Sequence, residues 1–329
     1  MKIAIAQPTY LPWLGYFDLL DQVDQFVLLD SVQFEKQSWQ QRNRIKTPTG
    51  LQWLTVPVVF RGKLGQRIAD VEIREREFWR DHIRAIELNY RRAPYFDEYF
   101  EALSKVLASE TAHGSLSRLT TEMLGWFAQT IGLKTPTIRS SELPVQGKRT
   151  DLLAAICVSL GADAYLSPLG SAEYLLGEMT ILTGRGIEVT FHHYDHPIYK
   201  QMFPPFVPFA SVLDLMFNEG ERALEIIRSG RRQALPPEGA AAHIAAHDPL
   251  TRHVIFDLAS VITPTTSAQD AARLVALMRK IGLSRFVVGS DYDGTTPKTT
   301  DELDRQKLPL SAQEWRTVVR NCVPWVCKK

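Results

Sequence analysis

Short apolar runs alternate along this chain with longer stretches in which apolar residues recur at helical spacing. Runs at Lys2–Ala6 and Gln25–Leu29 predict buried strands, and Gly15–Val23 between them predicts a short crossover helix. Repeated alternation of this kind is typical of an α/β fold, here a mainly parallel, Rossmann-like sheet flanked by helices. The same pattern predicts further strands at Leu51–Phe60, Thr137–Ile138, Ala164–Ser167 and Glu188–His192, and helices at Glu77–Asn89 (buried through Ile83, Ile86 and Leu88), Tyr99–Leu107, Leu116–Ile131 and Asp151–Leu160.

The pattern changes near residue 230. Residues 231–250 are rich in Ala and Pro and show no strong period, which predicts a linker after an α/β domain of residues 1–230. Residues 251–329 then form a small α/β C-terminal appendage, too short to bury a full core alone. Its predicted elements are strands at His253–Leu258 and Arg285–Val288 and helices at Ala268–Ile281 and Ala312–Arg320.

Composition narrows the class of protein. The chain has 329 residues, 45% of them hydrophobic, and a formal net charge of +1, which fits a soluble globular protein and argues against nucleic acid as a partner. Three cysteines, Cys157, Cys322 and Cys327, lack metal-cluster spacing and favour a reducing compartment, so cytoplasm is expected. No apolar run reaches the roughly 20 residues of a spanning helix, so membrane insertion is not expected. The oligomeric state stays open.

The first strand opens into a loop and helix start that are rich in aromatic residues. Pro8 and Pro12 fix φ and remove backbone donors, so this segment is predicted to be a shaped loop. In an α/β protein such a loop lies at the carboxyl edge of the sheet, where ligands bind. We therefore expect it to line a binding site. Its candidate substrate-binding residues are Gln7, Tyr10, Trp13 and Tyr16.

A basic segment follows the second strand. Between Ser31 and Arg67 there are seven Lys or Arg against one acid, Glu35, a local charge of +6. Guanidinium groups can grip phosphate or carboxylate bidentately, so an anionic ligand is the natural partner. The alternative is a solvated basic face balanced by the acid-rich Asp70–Glu77; Trp39 and Trp53 could likewise stack on a ligand or lie in the core. The candidate residues are Asp30 (catalytic) and Gln33, Lys36, Arg42, Asn43, Arg44 and Lys46 (substrate-binding).

A third segment places hydroxyls at a strand end and positive charge at a helix start. Ser140, Ser141 and Lys148 are candidate phosphate-binding residues there. The P-loop spacing is absent, and Thr150 could equally be an ordinary N-cap of the following helix.

Three histidines occur within five residues after the strand at Glu188–His192. Strand alternation points His192 and Tyr194 to one face, and no further histidine lies nearby, so no metal site is predicted. His196, in a loop before Pro197, is the candidate general acid or base because imidazole titrates near neutrality. Four further residues are expected to line or orient the pocket: Tyr199 and Gln201 by contact with substrate, and Asp214 and Asn218 from one face of a helix.

The order and spacing of several segments in residues 1–230 resemble one known family. These segments are Gln7–Phe17, Asp30–Lys46, Trp53–Pro57, Ser140–Leu143, Tyr165–Ser167, His196–Gln201 and Phe209–Gly220. They resemble the WbqC-like family, whose members are encoded in bacterial O-antigen and other surface-polysaccharide gene clusters. The resemblance implies carbohydrate decoration, for which a glycine transferase role on a sugar precursor has been suggested. One departure is Pro168–Tyr174, where the family tends to a glycine-rich turn that lets backbone approach a ligand.

Two weaker resemblances bear on mechanism. The loop after the first strand and the later Ser140-Ser141 segment are similar to the layout of nucleotidylyltransferases, which makes ATP or a sugar nucleotide the candidate cofactor or substrate. The His-x-Gly-His motif of those enzymes is missing, so Gln7, Tyr10, Tyr16, Lys36, Arg42 and Arg44 would have to hold the phosphates. The tail resembles the last strands of an amidohydrolase barrel, with Asp291 at the metal-ligand position, but a quarter of a barrel cannot assemble a metal site.

The sequence therefore predicts a transferase that acts on an anionic small molecule, a sugar nucleotide or glycan precursor, in surface-polysaccharide (O-antigen) biosynthesis. In this prediction His196 and Asp30 are catalytic, and glycine is one candidate for the transferred group. A non-catalytic module that binds a sugar nucleotide or a partner protein is the first alternative. A metal-dependent amidohydrolase is the second.

Overall fold

The computed structural model describes residues 1–63, 65–109 and 114–247, together with the backbone of 256–257 and 288–289. Five parallel strands form the central sheet, in the order β5-β2-β1-β6-β7, and helices pack around it. The predicted α/β fold with a mainly parallel sheet is confirmed. The strands of this sheet are β1 (Lys2–Ala6), β2 (Gln25–Leu28), β5 (Thr137–Arg139), β6 (Ala164–Pro168) and β7 (Glu188–His192).

The central strands form where the sequence is most continuously apolar, because a parallel sheet is buried on both faces. Ile3, Ala4 and Ile5 of β1 are at most 2% exposed, and β1 pairs with β2 on one side and with β6 on the other. The chain order of the sheet reverses between β1 and β6. The carboxyl ends of these two strands thus flank a topological switch point, the position at which open α/β sheets bind ligands.

The helices follow the predicted spacing closely. One exception is Leu88, which was expected to be buried but is 70% exposed, because Ile86 and Tyr90 occupy the inward face of its helix. The helices are α1 (Leu14–Asp21), α2 (Phe78–Tyr90), α3 (Phe96–Leu107), α4 (Leu116–Thr130), α5 (Arg149–Ser159), α6 (Ala172–Leu175), α7 (Thr180–Thr183), α8 (Val212–Glu219), α9 (Ala223–Ser229) and α10 (Pro237–His247).

A two-stranded antiparallel hairpin stands apart from the main sheet. It consists of β3 (Arg42–Thr47) and β4 (Gly50–Thr55), in a register that sets Arg44 opposite Trp53. One face of the hairpin packs into the core through Asn43, Ile45 and Leu54. The β3 strand was missed because its charged residues indicated a ligand-binding loop; tertiary packing converts their alternation into a strand with one inward face.

Two local predictions need correction. Residues 237–247 lie inside the predicted linker but form α10, since the alanine-rich stretch after Pro237 favours helix. Thr150 is not the N-cap of α5: the helix begins at Arg149, Lys148 occupies the cap position, and the Thr150 hydroxyl donates to Glu178. The helix predicted around Asp214 and Asn218 is confirmed as α8.

The chain separates into two units by its internal contacts, residues 1–240 and 241–329. In the second unit the structure describes one parallel strand pair, β8 (Phe256–Asp257) with β9 (Val288–Gly289). These short strands fall within or beside two of the predicted tail strands. The helices predicted at Ala268–Ile281 and Ala312–Arg320, and Asp291, lie outside the described residues. Within the part that is described, no helix is both long and apolar enough to cross a bilayer.

Candidate functional site

The loop after β1 is held in place before it reaches the site. The Gln7 carbonyl accepts a hydrogen bond from the Tyr16 hydroxyl (3.0 Å), and the Gln7 side-chain oxygen accepts one from Gln40 (2.9 Å). Leu11 has a φ of 48°, the left-handed region that L residues seldom adopt, and is fully buried. The loop ends at Trp13, which takes the N-cap position of α1 and packs its half-buried indole against the core beside Gly15.

Three separate parts of the chain meet beside Trp13. The backbone N–H of Ser211 donates to the Arg44 carbonyl (2.9 Å), and that of Val212 donates to the Pro12 carbonyl (2.8 Å). The first loop, strand β3 and the start of α8 are therefore joined by backbone hydrogen bonds. This junction connects the loop that carries Trp13 to the strand that carries Arg44.

His196 lies against this junction, surrounded by aromatic rings. Its imidazole is nearly parallel to the Trp13 indole, with ring centroids 6.3 Å apart, and also stacks on Tyr199 at 6.2 Å. Phe209 meets it edge-on at 5.1 Å, and Phe206 lies at 5.9 Å. Burial lowers the pKa of His196, so the imidazole is neutral at physiological pH.

The hydrogen bonds of His196 fix which nitrogen carries the proton. Its Nδ1 lies 2.9 Å from the Pro197 carbonyl oxygen, which can only accept a hydrogen bond, so Nδ1 is the protonated nitrogen. The Nε2 atom then carries a lone pair. It is buried and has no hydrogen-bond partner among the described residues. A neutral imidazole with an unpartnered lone pair is suited to accept a proton.

A buried carboxylate orders the aromatic rings behind His196. Asp214 is fully buried and accepts hydrogen bonds from Tyr199 (2.7 Å), Tyr90 (2.9 Å) and Gln201 (2.9 Å). Burial raises the pKa of Asp214, while these three hydrogen bonds and the charge of the buried Lys46 act in the opposite direction. Three residues predicted to touch substrate lie instead in or beside this network: Tyr199, Gln201 and Lys46. The network holds the Tyr199 ring, on which His196 stacks.

The hairpin contributes stacked cations and indoles. The Arg42 guanidinium carbon lies 4.3 Å from the Trp53 ring centroid, and that of Arg44 lies 5.3 Å from the centroids of both Trp53 and Trp39. Trp39 and Trp53 are 46% and 37% exposed, so neither is a core residue. Phe209 connects the two groups of residues, since its carbonyl oxygen lies 3.5 Å from Arg44 Nη2 and its ring packs on Trp13. We define the aromatic-basic face as Trp13, Trp39, Arg42, Arg44, Trp53, His196 and Phe209.

Part of the local charge of +6 is neutralised. Lys63 pairs with Glu72 (3.0 Å) and Arg67 with Asp70 (2.7 Å), as the alternative of a balanced basic face predicts. Lys36, Arg42 and Arg44 differ: within residues 1–63, 65–109 and 114–247, no carboxylate lies within ion-pair distance of them. Lys36 instead lies 3.8 Å above the Phe60 ring. Of the cations without a described ion pair, Arg42 and Arg44 lie on the face, whereas Lys36 and the exposed Arg61 lie outside it.

Unpartnered buried polar atoms also concentrate at this edge. Thr9 Oγ1, Arg42 Nε, Arg44 Nε and His196 Nε2 are all buried without a described hydrogen-bond partner. Each such atom costs about 1–3 kcal/mol, and native proteins keep few of them. Arg42, Arg44 and His196 belong to the face, where a ligand or water can supply the missing partners, whereas Gln66 Oε1 is a further such atom outside it.

Asp30, Ser140 and Ser141, predicted as parts of two separate clusters, come together and bind each other. Asp30 is fully buried and accepts hydrogen bonds from Ser117 (2.7 Å), Ser140 (3.2 Å), and both the backbone N–H and the hydroxyl of Ser141 (each 2.9 Å). These bonds tie the end of β2 to the turn after β5. The structure therefore gives this cluster a positioning role at the sheet edge.

Other predicted residues lie in the core or away from the face. Tyr10 is fully buried, with its hydroxyl 2.7 Å from His82 Nδ1, and reaches the site only through its N–H, which donates to the Trp39 carbonyl. The Asn43 amide donates to the Leu11 carbonyl (2.6 Å). Tyr16 is also buried, whereas Gln33 and Lys148 are exposed outside the face.

The structure adds residues that sequence reasoning missed. Phe206 and Phe209 lie against His196, and Phe209 combines a φ of 61° with 47% exposure of its ring. Gly15 provides space for Trp13, because a Cβ on it would lie 2.2 Å from the indole. The proline-rich composition of residues 204–208 was the only available signal for this loop.

Two further features lie outside the face. A groove of about 250 Å³ runs between α4 and β5, lined by Arg118, Thr121, Glu122, Thr137, Ile138, Arg139 and Glu142. Within the described part of the chain, no three His, Cys, Asp or Glu side chains are placed to hold a metal ion. His192 and Tyr194 do share one face, as predicted, with ring centroids 5.9 Å apart.

The sheet order, the switch point and the face define an α/β protein with a candidate anion-binding site at the carboxyl edge of a Rossmann-like sheet. By comparison with known families, the chain belongs to the WbqC-like protein family, whose model matches residues 7–226. It is similar to the uncharacterized protein Rv1507c of Mycobacterium tuberculosis, with 36% identity over 232 residues that cover 70% of this chain and 99% of that protein. No solved structure matches the chain. Every residue of the face lies inside the family match, which ends at residue 226.

Proposed function

We propose that this protein is a transferase that acts on an anionic carbohydrate precursor, a sugar nucleotide or a glycan precursor, in bacterial surface-polysaccharide biosynthesis. The biological setting rests on the WbqC-like family and what it implies. The chemistry rests on one observation: the neutral His196 presents an unpartnered Nε2 lone pair in the same face as two guanidinium groups that have no carboxylate partner.

In this proposal His196 is the general base. Its Nε2 takes the proton from the acceptor nucleophile, a sugar hydroxyl, as that oxygen bonds to the transferred group. The leaving group departs with the electron pair of the broken bond, and Arg42 and Arg44 stabilise its negative charge. Asp30 supports the sheet edge rather than the reacting atoms, because both of its oxygens already accept hydrogen bonds.

One observation favours the alternative of a non-catalytic binding module. The lone pair of His196 is buried beneath the neighbouring rings, and its other nitrogen bonds a backbone carbonyl rather than a carboxylate that would stabilise an imidazolium. The same face would then recognise a ligand without converting it. Binding alone cannot separate these two functions, whereas turnover does.

The experiment combines ligand screening with a product assay. Sugar nucleotides, glycan precursors and ATP with glycine are screened by thermal shift, and each ligand that binds is incubated with acceptors and analysed by mass spectrometry. A transferase gives product with the wild type and with His193→Ala, but at least 100-fold less with His196→Ala. Binding without product, or full turnover by a folded His196→Ala variant, would refute the catalytic function.

A further inference from the structure

Arg42 and Arg44 form a pair of anion-binding groups with fixed spacing. They lie two positions apart on β3 and so project from the same face of the hairpin, with their Cα atoms about 7 Å apart. The ring of Trp53, directly opposite Arg44, supports both guanidinium groups. Stacking on indole restricts the two side chains while leaving the edges of the guanidinium planes to donate hydrogen bonds.

Those donors have almost no acceptor within the protein. Among the described residues, the only acceptor facing either guanidinium is the Phe209 carbonyl oxygen, 3.5 Å from Arg44 Nη2. Both Nε atoms are buried without a partner. Two neighbouring guanidinium groups with this many free donors match a ligand that carries several anionic oxygens on adjacent centres.

An aromatic platform lies immediately beside the cations. The rings of Trp39 and Trp53 have centroids 5.3 Å apart, and Trp39, at 46% exposure, is the more open of the two. Exposed indoles are costly to leave uncovered and stack well on nucleobases. The backbone of Trp39 is anchored by its bond to Tyr10 N–H, so the platform is attached to the loop at the switch point.

We infer that this half of the aromatic-basic face binds a nucleoside diphosphate group, with its diphosphate oxygens on Arg42 and Arg44 and its base stacked on Trp39. The group attached to the diphosphate then extends past Phe209 towards Trp13 and His196. This inference rests on the proposed function. It identifies the donor substrate as a sugar nucleotide and not as a glycan precursor without a nucleobase. A phosphate-bearing precursor that lacks a nucleobase would use the cations but leave the indole platform empty.

The test measures binding of uridine diphosphate, adenosine diphosphate, inorganic pyrophosphate and uridine to the full chain by isothermal titration calorimetry. We expect at least one nucleoside diphosphate to bind at least tenfold more tightly than pyrophosphate and than uridine. Arg42→Lys and Arg44→Lys keep the charge but lose the bidentate geometry. Each is expected to weaken both the nucleotide and pyrophosphate about tenfold.

The tryptophan variant separates the two parts of the ligand. Trp39→Ala is expected to weaken the nucleotide about tenfold and to leave pyrophosphate affinity unchanged. Arg61→Gln is the matched control, because Arg61 is an exposed cation of the same basic segment outside the face. It should leave all affinities within twofold. Circular dichroism melts establish that each variant is folded.

Several results would overturn the inference. These are no binding of either nucleoside diphosphate at millimolar concentration, an equal loss of nucleotide and pyrophosphate affinity in Trp39→Ala, or an Arg61→Gln loss as large as that of Arg42→Lys. The inference and the proposed function fail differently. Turnover of a glycan precursor without nucleotide binding would refute only the inference, whereas nucleotide binding on Arg42 and Trp39 without any product would refute only catalysis.

Discussion

The imidazole of His196 lies nearly parallel to the indole of Trp13, with centroids 6.3 Å apart and ring planes 14° from parallel. Trp13 comes from the loop after the first strand, and His196 from the loop after the last strand of the sheet. Their stacking therefore joins the two segments at the carboxyl edge. It also makes the position of the candidate base depend on whatever holds the indole in place.

Gly15 is the residue that makes room for this indole. We predict that Gly15→Ala displaces the Trp13 ring, because the new Cβ would lie 2.2 Å from it. The displacement should shift the NMR signals of the His196 imidazole and weaken ligand binding at the face at least tenfold. Alanine is otherwise favoured over glycine in a helix by about 1 kcal/mol. The cost of the clash with the indole must therefore be larger than this gain in helix stability for the variant to be destabilised.

The matched control for Gly15→Ala is Gly125→Ala in α4. Gly125 is likewise a helical glycine but, unlike the buried Gly15, it is exposed, and a Cβ on it would meet no atom within 4 Å. This control should gain about 1 kcal/mol of stability and leave the His196 signals unchanged. If Gly15→Ala behaved in the same way as the control, the role assigned to Gly15 would be wrong.

Phe209 is held in a conformation that favours glycine. With φ at 61°, we predict that Phe209→Gly is more stable than Phe209→Ala by about 1 kcal/mol, measured as the free energy of unfolding in denaturant. Both variants lose the ring over His196 and should bind ligand more weakly. At Ile198, 83% exposed and without positive φ, the order should reverse, with alanine at least as stable as glycine. Equal stability of the two Phe209 variants would contradict a strained backbone there.

Asp214 is predicted to be the most costly carboxylate of the site to neutralise. Asp214→Asn replaces an acceptor of three hydrogen bonds and leaves the buried Lys46 without its opposing charge, so we expect a loss of about 3 kcal/mol. Removing both charges in Asp214→Asn with Lys46→Met should cost less than the sum of the single changes. Glu87→Gln, at an exposed carboxylate on α2, should stay within about 0.5 kcal/mol of wild type. Additive losses in the double variant would exclude coupling between Lys46 and Asp214.

His82 should make stability depend on pH. Burial lowers its pKa from 6.5 to about 4, against the raising effect of a hydrogen bond to the Thr55 backbone. Between pH 6.5 and 4 the unfolded chain therefore binds a proton at His82 that the folded chain does not. The contribution of neutral His82 to the free energy of unfolding is fully present above pH 6.5 and is lost as the pH falls towards 4. The loss reaches up to about 3 kcal/mol relative to a His82→Gln variant, which does not titrate. Parallel pH profiles of unfolding for the two proteins would show that this shift is absent.

Much of the fold could be predicted because its signals are local. The run at Lys2–Ala6 is apolar enough to specify a buried strand, Glu188–His192 alternates polar and apolar residues as a strand does, and Pro8 with Pro12 excludes regular structure between β1 and α1. The strand β3 escaped prediction for a physical reason. Its buried face includes the polar Asn43, which interrupts the alternation of polar and apolar residues that would predict a strand. Asn43 can be buried because its amide donates a hydrogen bond to the Leu11 carbonyl, a contact that only the fold creates.

The site divides differently. Sequence reasoning selected His196, Arg42 and Arg44 by chemical type, and it assigned Asp30 and Ser140 to separate clusters at the ends of two different strands. It could not foresee that Asp30 would be fully hydrogen-bonded by serines, or that Tyr10 would turn inward to His82. Nor could it foresee Phe209, which reaches the site from a loop with a left-handed residue.

By itself, the sequence determined the alternation of strands and helices, the irregular first loop, the local excess of positive charge and the set of residues able to bind an anion or move a proton. Only the tertiary structure decided which of those groups pair with each other and which remain available. Pairing depends on where the fold places each side chain. Glu72 and Asp70 lie within reach of Lys63 and Arg67, whereas Arg42, Arg44 and the Nε2 of His196 lie against aromatic rings. The faces of these rings offer neither an acceptor such as a carboxylate nor a donor such as a hydroxyl.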